Sequence, residues 1–120
     1  MKKVILFGGS GFLGSYVADE LSRREYEVTI ADLIPSRYLK DTQKFIKINV
    51  LNIDNIKDAI KDVSIVYNFV AIANLDDAIH DPINAMNINV TGNLNILEAC
   101  KQNGNIERFV YASSAYALSD

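Results

Sequence analysis

The chain has 120 residues, of which 49% are hydrophobic and 22% charged, values ordinary for a soluble globular domain. This composition excludes a disordered tail, a collagen-like repeat and a disulfide-stapled miniprotein. The net charge is −3 and no block of basic residues occurs, so we expect no nucleic-acid partner. The single cysteine, Cys100, cannot form an intrachain disulfide and favours a reducing compartment.

The apolar stretches are too short for a membrane. The N-terminal apolar run, residues 4–7, is too short for a signal peptide, and no other run approaches the length of a membrane-spanning helix. We therefore expect a cytoplasmic protein with no membrane partner. The only histidine, His80, has no cluster of cysteine or histidine around it, so no metal site is predicted.

Strands and helices alternate along the chain. The apolar and β-branched runs predict five strands, at residues 3–7, 27–31, 45–48, 64–70 and 108–112. Parallel strands joined by right-handed helical crossovers follow from this alternation. We therefore predict an α/β fold with a doubly wound parallel sheet (a Rossmann fold) of five strands in the order 3-2-1-4-5.

Three helices are predicted between the strands. The first opens from the glycine-rich segment 8–14 and ends near Arg23 and Arg24, and the second spans residues 54–61. The third follows Pro82 and ends at Gly104, which is well placed as its C-terminal cap. Each has apolar residues at helical spacing, which are Leu13, Val17 and Leu21 in the first, Ile53, Ile56 and Ile60 in the second, and Ile83, Met86, Val90, Leu94 and Leu97 in the third. For the first helix this spacing predicts a buried stripe.

The segment between the first strand and the first helix is rich in glycine. Its glycines fit both G-x-G-x-x-G and G-x-x-G-x-x-G and are Gly8, Gly9, Gly11 and Gly14. A sharp strand-to-helix turn needs backbone angles that a Cβ forbids. Gly11 would leave room for a pyrophosphate, and the helix N-terminus at Phe12 and Leu13 would supply N–H donors and a favourable dipole. The alternative is a plain tight turn, for which a single glycine would be enough. Because the segment contains four glycines, a dinucleotide-binding site is favoured.

Asp32 lies 23 residues after Gly9, at the end of the second strand. This spacing suits a carboxylate that accepts hydrogen bonds from the 2′- and 3′-hydroxyls of an adenosine ribose. A carboxylate there would repel a 2′-phosphate, so NAD is favoured over NADP. Two alternatives stay open: Asp32 could be a surface turn residue, or Arg37, which lies beyond Pro35, could accommodate a 2′-phosphate.

Gly8-x-x-Gly11-x-x-Gly14 with Asp32 resembles the extended short-chain dehydrogenase/reductases, the NAD-dependent epimerase/dehydratase family, and the resemblance runs along the whole chain. It implies that Asn49 contacts the adenine, where the family usually has an acidic residue.

The resemblance extends to the segments after the third and fourth strands. Val50 is implied to contact the adenine beside Asn49. Phe69, Val70 and Ala71 resemble the small-residue segment that passes beneath the cofactor, with Val70 bulkier than usual.

Two further elements resemble the family's active site. Asn89-Val90-Thr91-Gly92 matches its Asn-Val-x-Gly element, so Asn89 is expected to shape the active site from below. The alternative is a solvated helix asparagine, although Asn is a poor helix former and the neighbouring Val90 is expected to be buried. By position Ser114 is the catalytic residue that hydrogen-bonds the C4 oxygen of the sugar, whereas Ser113 is interpreted as an ordinary turn serine.

Ala115-Tyr116 after Ser114 is similar to the sugar 4-epimerases, whereas dehydratases place Asp-Glu there. The resemblance therefore implies an NAD-dependent nucleotide-sugar epimerase acting on a nucleotide-sugar substrate, expected as a homodimer through the long helix. A dehydratase or reductase of the same family, and a non-catalytic dinucleotide-binding regulator, remain alternatives. No tyrosine has a lysine four residues later, although the family's acid/base motif is Tyr-x-x-x-Lys. We therefore expect residues 1–120 to be an NAD-binding domain truncated before its substrate-binding region and inactive alone.

Overall fold

A computed structural model describes residues 1–70 and 79–111 of the chain. Within these ranges, five parallel strands form one sheet in the order β3-β2-β1-β4-β5. The strands are β1 (Lys3–Phe7), β2 (Glu27–Asp32), β3 (Gln43–Lys47), β4 (Ile65–Asn68) and β5 (Arg108–Tyr111). The predicted fold class and strand order are confirmed. β3 begins two residues earlier than predicted, and β4 is shorter at both ends.

The helices are α1 (Phe12–Arg23), α2 (Ile53–Ala59), α3 (Pro82–Met86) and α4 (Asn93–Asn103). A π-helical segment (Asn87–Gly92) joins α3 to α4, so the predicted long helix is helical from Pro82 but not α-helical throughout. Its start is capped by Asp81, whose side chain accepts the Asn84 N–H at 3.1 Å. Among the described residues, no helix is both long and apolar enough to cross a membrane.

The core lies in two layers, one on each face of the sheet. On one face, Ile5, Phe7 and Val66 pack against the α2 and α4 helices. On the other face, alternate residues of the same strands pack against α1. Residues 4–7 of β1 are completely buried, as expected for a central strand covered on both faces. This arrangement fixes the carboxyl ends of β1, β2 and β4 side by side.

The predicted buried stripe of α1 is wrong at Leu13, which is 56% exposed. The residues of α1 that face the sheet are Gly14, Ser15, Ala18 and Leu21. Gly14 sets this face because a Cβ there would stand only 2.6 Å from the Cα of Gly9. The helix approaches the glycine turn through its smallest residue, which points Leu13 away from the sheet.

The apolar residues predicted on the long helix lie on its outer side. Val90, expected to be buried, is half exposed, and Ile83, Met86, Leu94 and Leu97 are exposed as well. The buried positions of this helical stretch are Ala85, Gly92, Ile96 and Ala99. Three of these four residues are small, and Gly92 lies directly against the side chain of Val50. The stretch therefore has two apolar faces, and periodicity alone could not decide which of them meets the core.

Cys100 packs beside the core on the α4 side of the sheet and is half-buried. Loss of hydration on burial raises the pKa of the Cys100 thiol to about 11. The thiol is therefore protonated at neutral pH, which lowers its reactivity as a nucleophile.

Gly104 ends α4 with φ of +76°, the left-handed conformation that glycine adopts without strain. We expect Gly104→Ala to lower the free energy of unfolding by about 1 kcal/mol, because a Cβ disfavours this conformation. Gly104→Asn should cost less, since asparagine tolerates it better. Urea denaturation measures both values. Equal stability of wild type and Gly104→Ala would contradict the assignment of this cap.

Candidate functional site

A cleft of about 350 Å³ lies at the carboxyl ends of β1, β2, β3 and β4. The residues lining it come from five separate segments and are Gly8, Gly11, Ala31, Asp32, Leu33, Ile48, Asn49, Val50, Phe69, Val70 and Ile88. In doubly wound sheets, ligands bind beyond the carboxyl ends of the strands, where the strand order reverses. Here the order reverses at β1, between β2 and β4. The fold therefore makes this cleft the candidate ligand site.

Gly8 makes the turn out of β1 possible. Its φ is +71°, and its N–H donates to the Ala31 carbonyl at 2.8 Å, so the turn is tied to β2. A Cβ on Gly8 would stand 2.9 Å from the carbonyl carbon of Phe69 and from the nitrogen of Val70. Both the backbone angle and this close approach exclude a side chain. The turn after β1 and the segment after β4 are therefore in direct backbone contact, with no side chain between them.

Gly11 has a different environment from Gly8 and Gly14. No heavy atom lies within 4 Å of the place where its Cβ would be, and the residue is exposed. Neither packing nor backbone angle requires glycine here, because φ is −74°. Gly11 is the N-cap of α1, where the first N–H groups have no partner within the helix. The open space beside these donors suits a pyrophosphate that approaches the backbone closely.

Asp32 ends β2 beside the glycine turn. One carboxylate oxygen accepts the Ser10 N–H at 3.1 Å, and the other accepts the Leu33 N–H at 2.7 Å. The Ser10 hydroxyl donates to the Ile34 carbonyl at 2.6 Å, which holds the glycine turn to the loop after β2. These contacts fix the carboxylate in the cleft. Each carboxylate oxygen can accept more than one hydrogen bond, so both can still receive a ribose hydroxyl.

The opposite wall of the cleft follows β3. Asn49 is exposed, and its side-chain oxygen accepts the Leu51 N–H at 3.0 Å. That oxygen keeps a second lone pair, which could accept from an adenine amino group as the family resemblance implies. Val50 is partly buried, and its carbonyl accepts the Asn95 side-chain amide at 3.0 Å. The hydrogen bond to α4 holds this wall at a fixed place.

The floor of the cleft follows β4. The Phe69 N–H donates to the Phe7 carbonyl at 2.8 Å, and the Phe69 ring stacks on Tyr67 with centroids 6.1 Å apart. The Val70 N–H donates to the side chain of Asn68 at 2.9 Å. Phe69 and Val70, the two described residues of the segment expected beneath the cofactor, are therefore both held by hydrogen bonds. Ala71, the third predicted residue of this segment, lies outside the described ranges.

The predicted site residues divide into three groups. Seven line the cleft together and are Gly8, Gly11, Asp32, Asn49, Val50, Phe69 and Val70. Four lie near it but not in its lining: Phe12 and Leu13 have exposed side chains, Gly14 packs beneath the glycine turn, and Asn89 lies in the π-helical segment. Ser114 and Ala71 fall outside the described ranges. The contacts of all these residues with a ligand stay predictions.

Four residues that the sequence does not predict also line the cleft, and they are Ala31, Leu33, Ile48 and Ile88. Ile88 is the only helical residue among the described residues that line it. Ile88 lies off the stripe formed by Met86 and Val90, and directly before the predicted Asn89. An apolar residue off the main apolar face of a helix was the available signal. The described ranges contain no group of three or more His, Cys, Asp or Glu side chains that could hold a metal ion.

A switch-point cleft with a glycine turn, an open helix N-terminus and a carboxylate at the end of the next strand is typical of dinucleotide-binding proteins. A model of the NAD dependent epimerase/dehydratase family matches residues 4–120, and the chain belongs to that family. The resemblance based on the glycine motif is therefore confirmed. NAD, the cofactor predicted from Gly11 and Asp32, is the one on which the family depends.

The chain is similar to proteins with more than one activity. It is 30% identical over 119 residues to a "Putative UDP-glucose 4-epimerase" of Methanocaldococcus jannaschii, covering 96% of this chain and 39% of that protein. It is 26% identical to UDP-glucuronic acid decarboxylase 1 of Danio rerio, covering 99% of this chain and 29% of that protein.

Among solved structures, the UDP-glucose 4-epimerase of Thermus thermophilus in complex with NAD matches with a TM-score of 0.84 and 29% identity. The match covers 93% of this chain and 37% of that one. The chain therefore spans between 29% and 39% of the length of these three proteins.

The open space beside Gly11 gives a test that separates binding from folding. We expect Gly11→Ala to change the urea midpoint little, because its Cβ meets nothing and the poorer N-cap preference of alanine is offset by the smaller conformational freedom of the unfolded chain. NAD affinity should fall at least about tenfold, since the methyl group occupies the space of the pyrophosphate. Titration calorimetry on both proteins measures the difference. An alanine variant that binds NAD as tightly as wild type would contradict a pyrophosphate site at Gly11.

Proposed function

We propose that this chain is the cofactor-binding part of an NAD-dependent nucleotide-sugar 4-epimerase. The cleft supports this proposal most directly. In it, the open space at Gly11 and the fixed carboxylate of Asp32 lie on one side of the switch point. Bound NAD would supply reversible acceptance of hydride from C4 of the sugar. The chain's own residues would hold and orient the dinucleotide.

Each end of the dinucleotide has a matching part of the cleft. The N–H groups at the start of α1, at Phe12 and Leu13, would donate to the pyrophosphate. Asp32 would accept the adenosine ribose hydroxyls, and its negative charge would oppose a 2′-phosphate. Asn49 and Val50 would flank the adenine. Arg37 is exposed and lines, with Ser36 and Tyr38, a neighbouring depression whose wall also includes Gly11 and Asp32. Because Asp32 lines both the cleft and this depression, its carboxylate would oppose a 2′-phosphate on either side, and the preference for NAD rests on that charge.

The choice of epimerisation depends on the sequence after β5. The relatives include a decarboxylase, so membership of the family alone leaves several reactions open. Ala115-Tyr116 after Ser114 favours a 4-epimerase over a dehydratase, which would have Asp-Glu there. Ser114 would hydrogen-bond the C4 oxygen and position it for proton transfer. A non-catalytic regulator would have no need of that serine.

Ser114 and Ser113 form a matched pair for testing this assignment. In the full chain as its gene encodes it, Ser114→Ala should lower kcat for the 4-epimerisation of a nucleoside-diphosphate sugar on the order of 100-fold. NAD affinity should not change, because Ser114 would act on the sugar. Ser113→Ala should keep its activity.

A coupled assay for the epimerised sugar measures both variants. Equal activity of wild type and Ser114→Ala would contradict the catalytic role. Absence of 4-epimerisation in wild type, with NAD bound, would favour the dehydratase, the reductase or the regulator.

We also propose that the full chain forms a homodimer through the outer face of the long helical stretch. Five large apolar side chains lie exposed along this face, at positions 83, 86, 90, 94 and 97. A continuous exposed apolar stripe of this kind is typical of a protein–protein interface. The core-facing side of the stretch is already occupied by the sheet and α2.

Charge placed on this stripe should separate the subunits. We expect sedimentation to show a dimer for wild type and a monomer for Leu94→Lys, because a buried, unpaired ammonium is costly at an apolar interface. Thr91→Lys adds the same charge to an exposed position off the stripe and should remain dimeric. A Leu94→Lys variant that sediments like wild type would contradict an interface through this face.

A further inference from the structure

Val50 is held by the helical stretch at two points. Its carbonyl accepts the Asn95 side-chain amide at 3.0 Å, and its side chain lies directly against Gly92. A Cβ on Gly92 would stand 2.6 Å from Cγ2 of Val50 and 3.4 Å from its Cβ. Gly92 is buried and its backbone is helical, so its backbone angles do not require glycine. The close contact with Val50 is what requires a residue without a Cβ.

The π-helical segment gives this contact its place in the fold. Gly92 ends the segment and touches Val50, while Ile88, four residues earlier, lines the cleft. Residues four apart lie on the same side of a helix, so one side of this segment carries both contacts. π-helical turns occur often at functional sites. Here the turn presents one side to the cofactor cleft and leaves Val90 on the outside.

The same stretch also holds the floor of the cleft. The buried Asn68 donates its side-chain amide to the Asn93 side-chain oxygen at 2.6 Å, and its own oxygen accepts the Val70 N–H at 2.9 Å. Asn93 in turn donates to the carbonyl of Asn89. A chain of hydrogen bonds therefore runs from the π-helical segment through two asparagines to Val70, which lines the cleft.

We propose that residues 88–95 are a positioning element for the cofactor cleft, with Gly92 and Asn95 setting the place of Val50 and Asn93 setting that of Val70. The inference rests on the proposed binding of NAD in this cleft. Gly92 and Asn93 would touch no ligand and would act through Val50 and Val70, which line the cleft. The wall after β3 and the floor after β4 would therefore keep their spacing through a single helical stretch.

A double substitution tests the contact at Gly92. Gly92→Ala forces a methyl group against Cγ2 of Val50, whose backbone is held by Asn95. We expect the full chain to lose NAD affinity about tenfold, as overpacking displaces Val50 in the cleft. Adding Val50→Ala removes Cγ2 and should restore affinity to that of the Val50→Ala single variant. Such rescue would not occur if Gly92 served helix stability alone.

Gly104→Ala is the matched control. It makes the same substitution at the end of the same helical stretch, at a position where a Cβ meets nothing. It should lose stability and keep the wild-type NAD affinity, whereas Gly92→Ala should lose affinity. If Gly92→Ala does not fold, Asn95→Ala decides: it removes the hydrogen bond to Val50 without inserting an atom and should weaken NAD binding.

Titration with NAD separates the outcomes. Wild-type affinity in Gly92→Ala, or a double variant no better than Gly92→Ala, would overturn the positioning role. Unchanged affinity in Asn95→Ala would overturn it where that variant decides. Failure of the wild-type chain to bind NAD would instead refute the proposed cofactor site, and the positioning role would fall with it.

Discussion

Backbone atoms of three segments approach one another at the glycine turn more closely than side chains would allow. Gly8 meets the backbone of Phe69 and Val70, and Gly14 meets that of Gly9. These contacts bring the end of β1, the start of α1 and the segment after β4 together at the switch point of the sheet. The cleft exists because those segments converge, and the Asp32 carboxylate is held there by an N–H of the same turn. A side chain at Gly8 or Gly14 would separate the segments and remove the site.

The elements that the sequence predicts well are those with one strong local cause. The run from Val4 to Phe7 is apolar throughout, and only a strand covered on both faces buries every residue of such a run. Gly104 predicts the end of the long helix because glycine alone adopts its backbone angle without strain. Asp32 is found at the glycine turn because strand length and crossover length together determine where β2 ends.

The sequence predicts poorly which face of a helix packs against the sheet or its loops. Leu13 and Val90 belong to regular apolar spacings, but small residues beside them, Gly14 and Gly92, approach the sheet and its loops instead. A periodic pattern shows where apolar residues recur along a helix. It does not show that a helix lying close to a neighbouring segment needs its smallest residues at the contact. Ile88 was missed for a different reason, since a π-helical turn changes which residues share a face with their neighbours in α3 and α4. The function of Gly92 is visible only once Val50 is placed beside it.

We propose that the switch-point cleft holds NAD with its adenosine ribose on Asp32. Parallel titrations of the full chain with NAD and with NADP test this claim most directly. We expect NAD to bind at least about tenfold more tightly than NADP, because the Asp32 carboxylate would accept ribose hydroxyls and repel a 2′-phosphate. Tighter binding of NADP, or no binding of either dinucleotide, would contradict it.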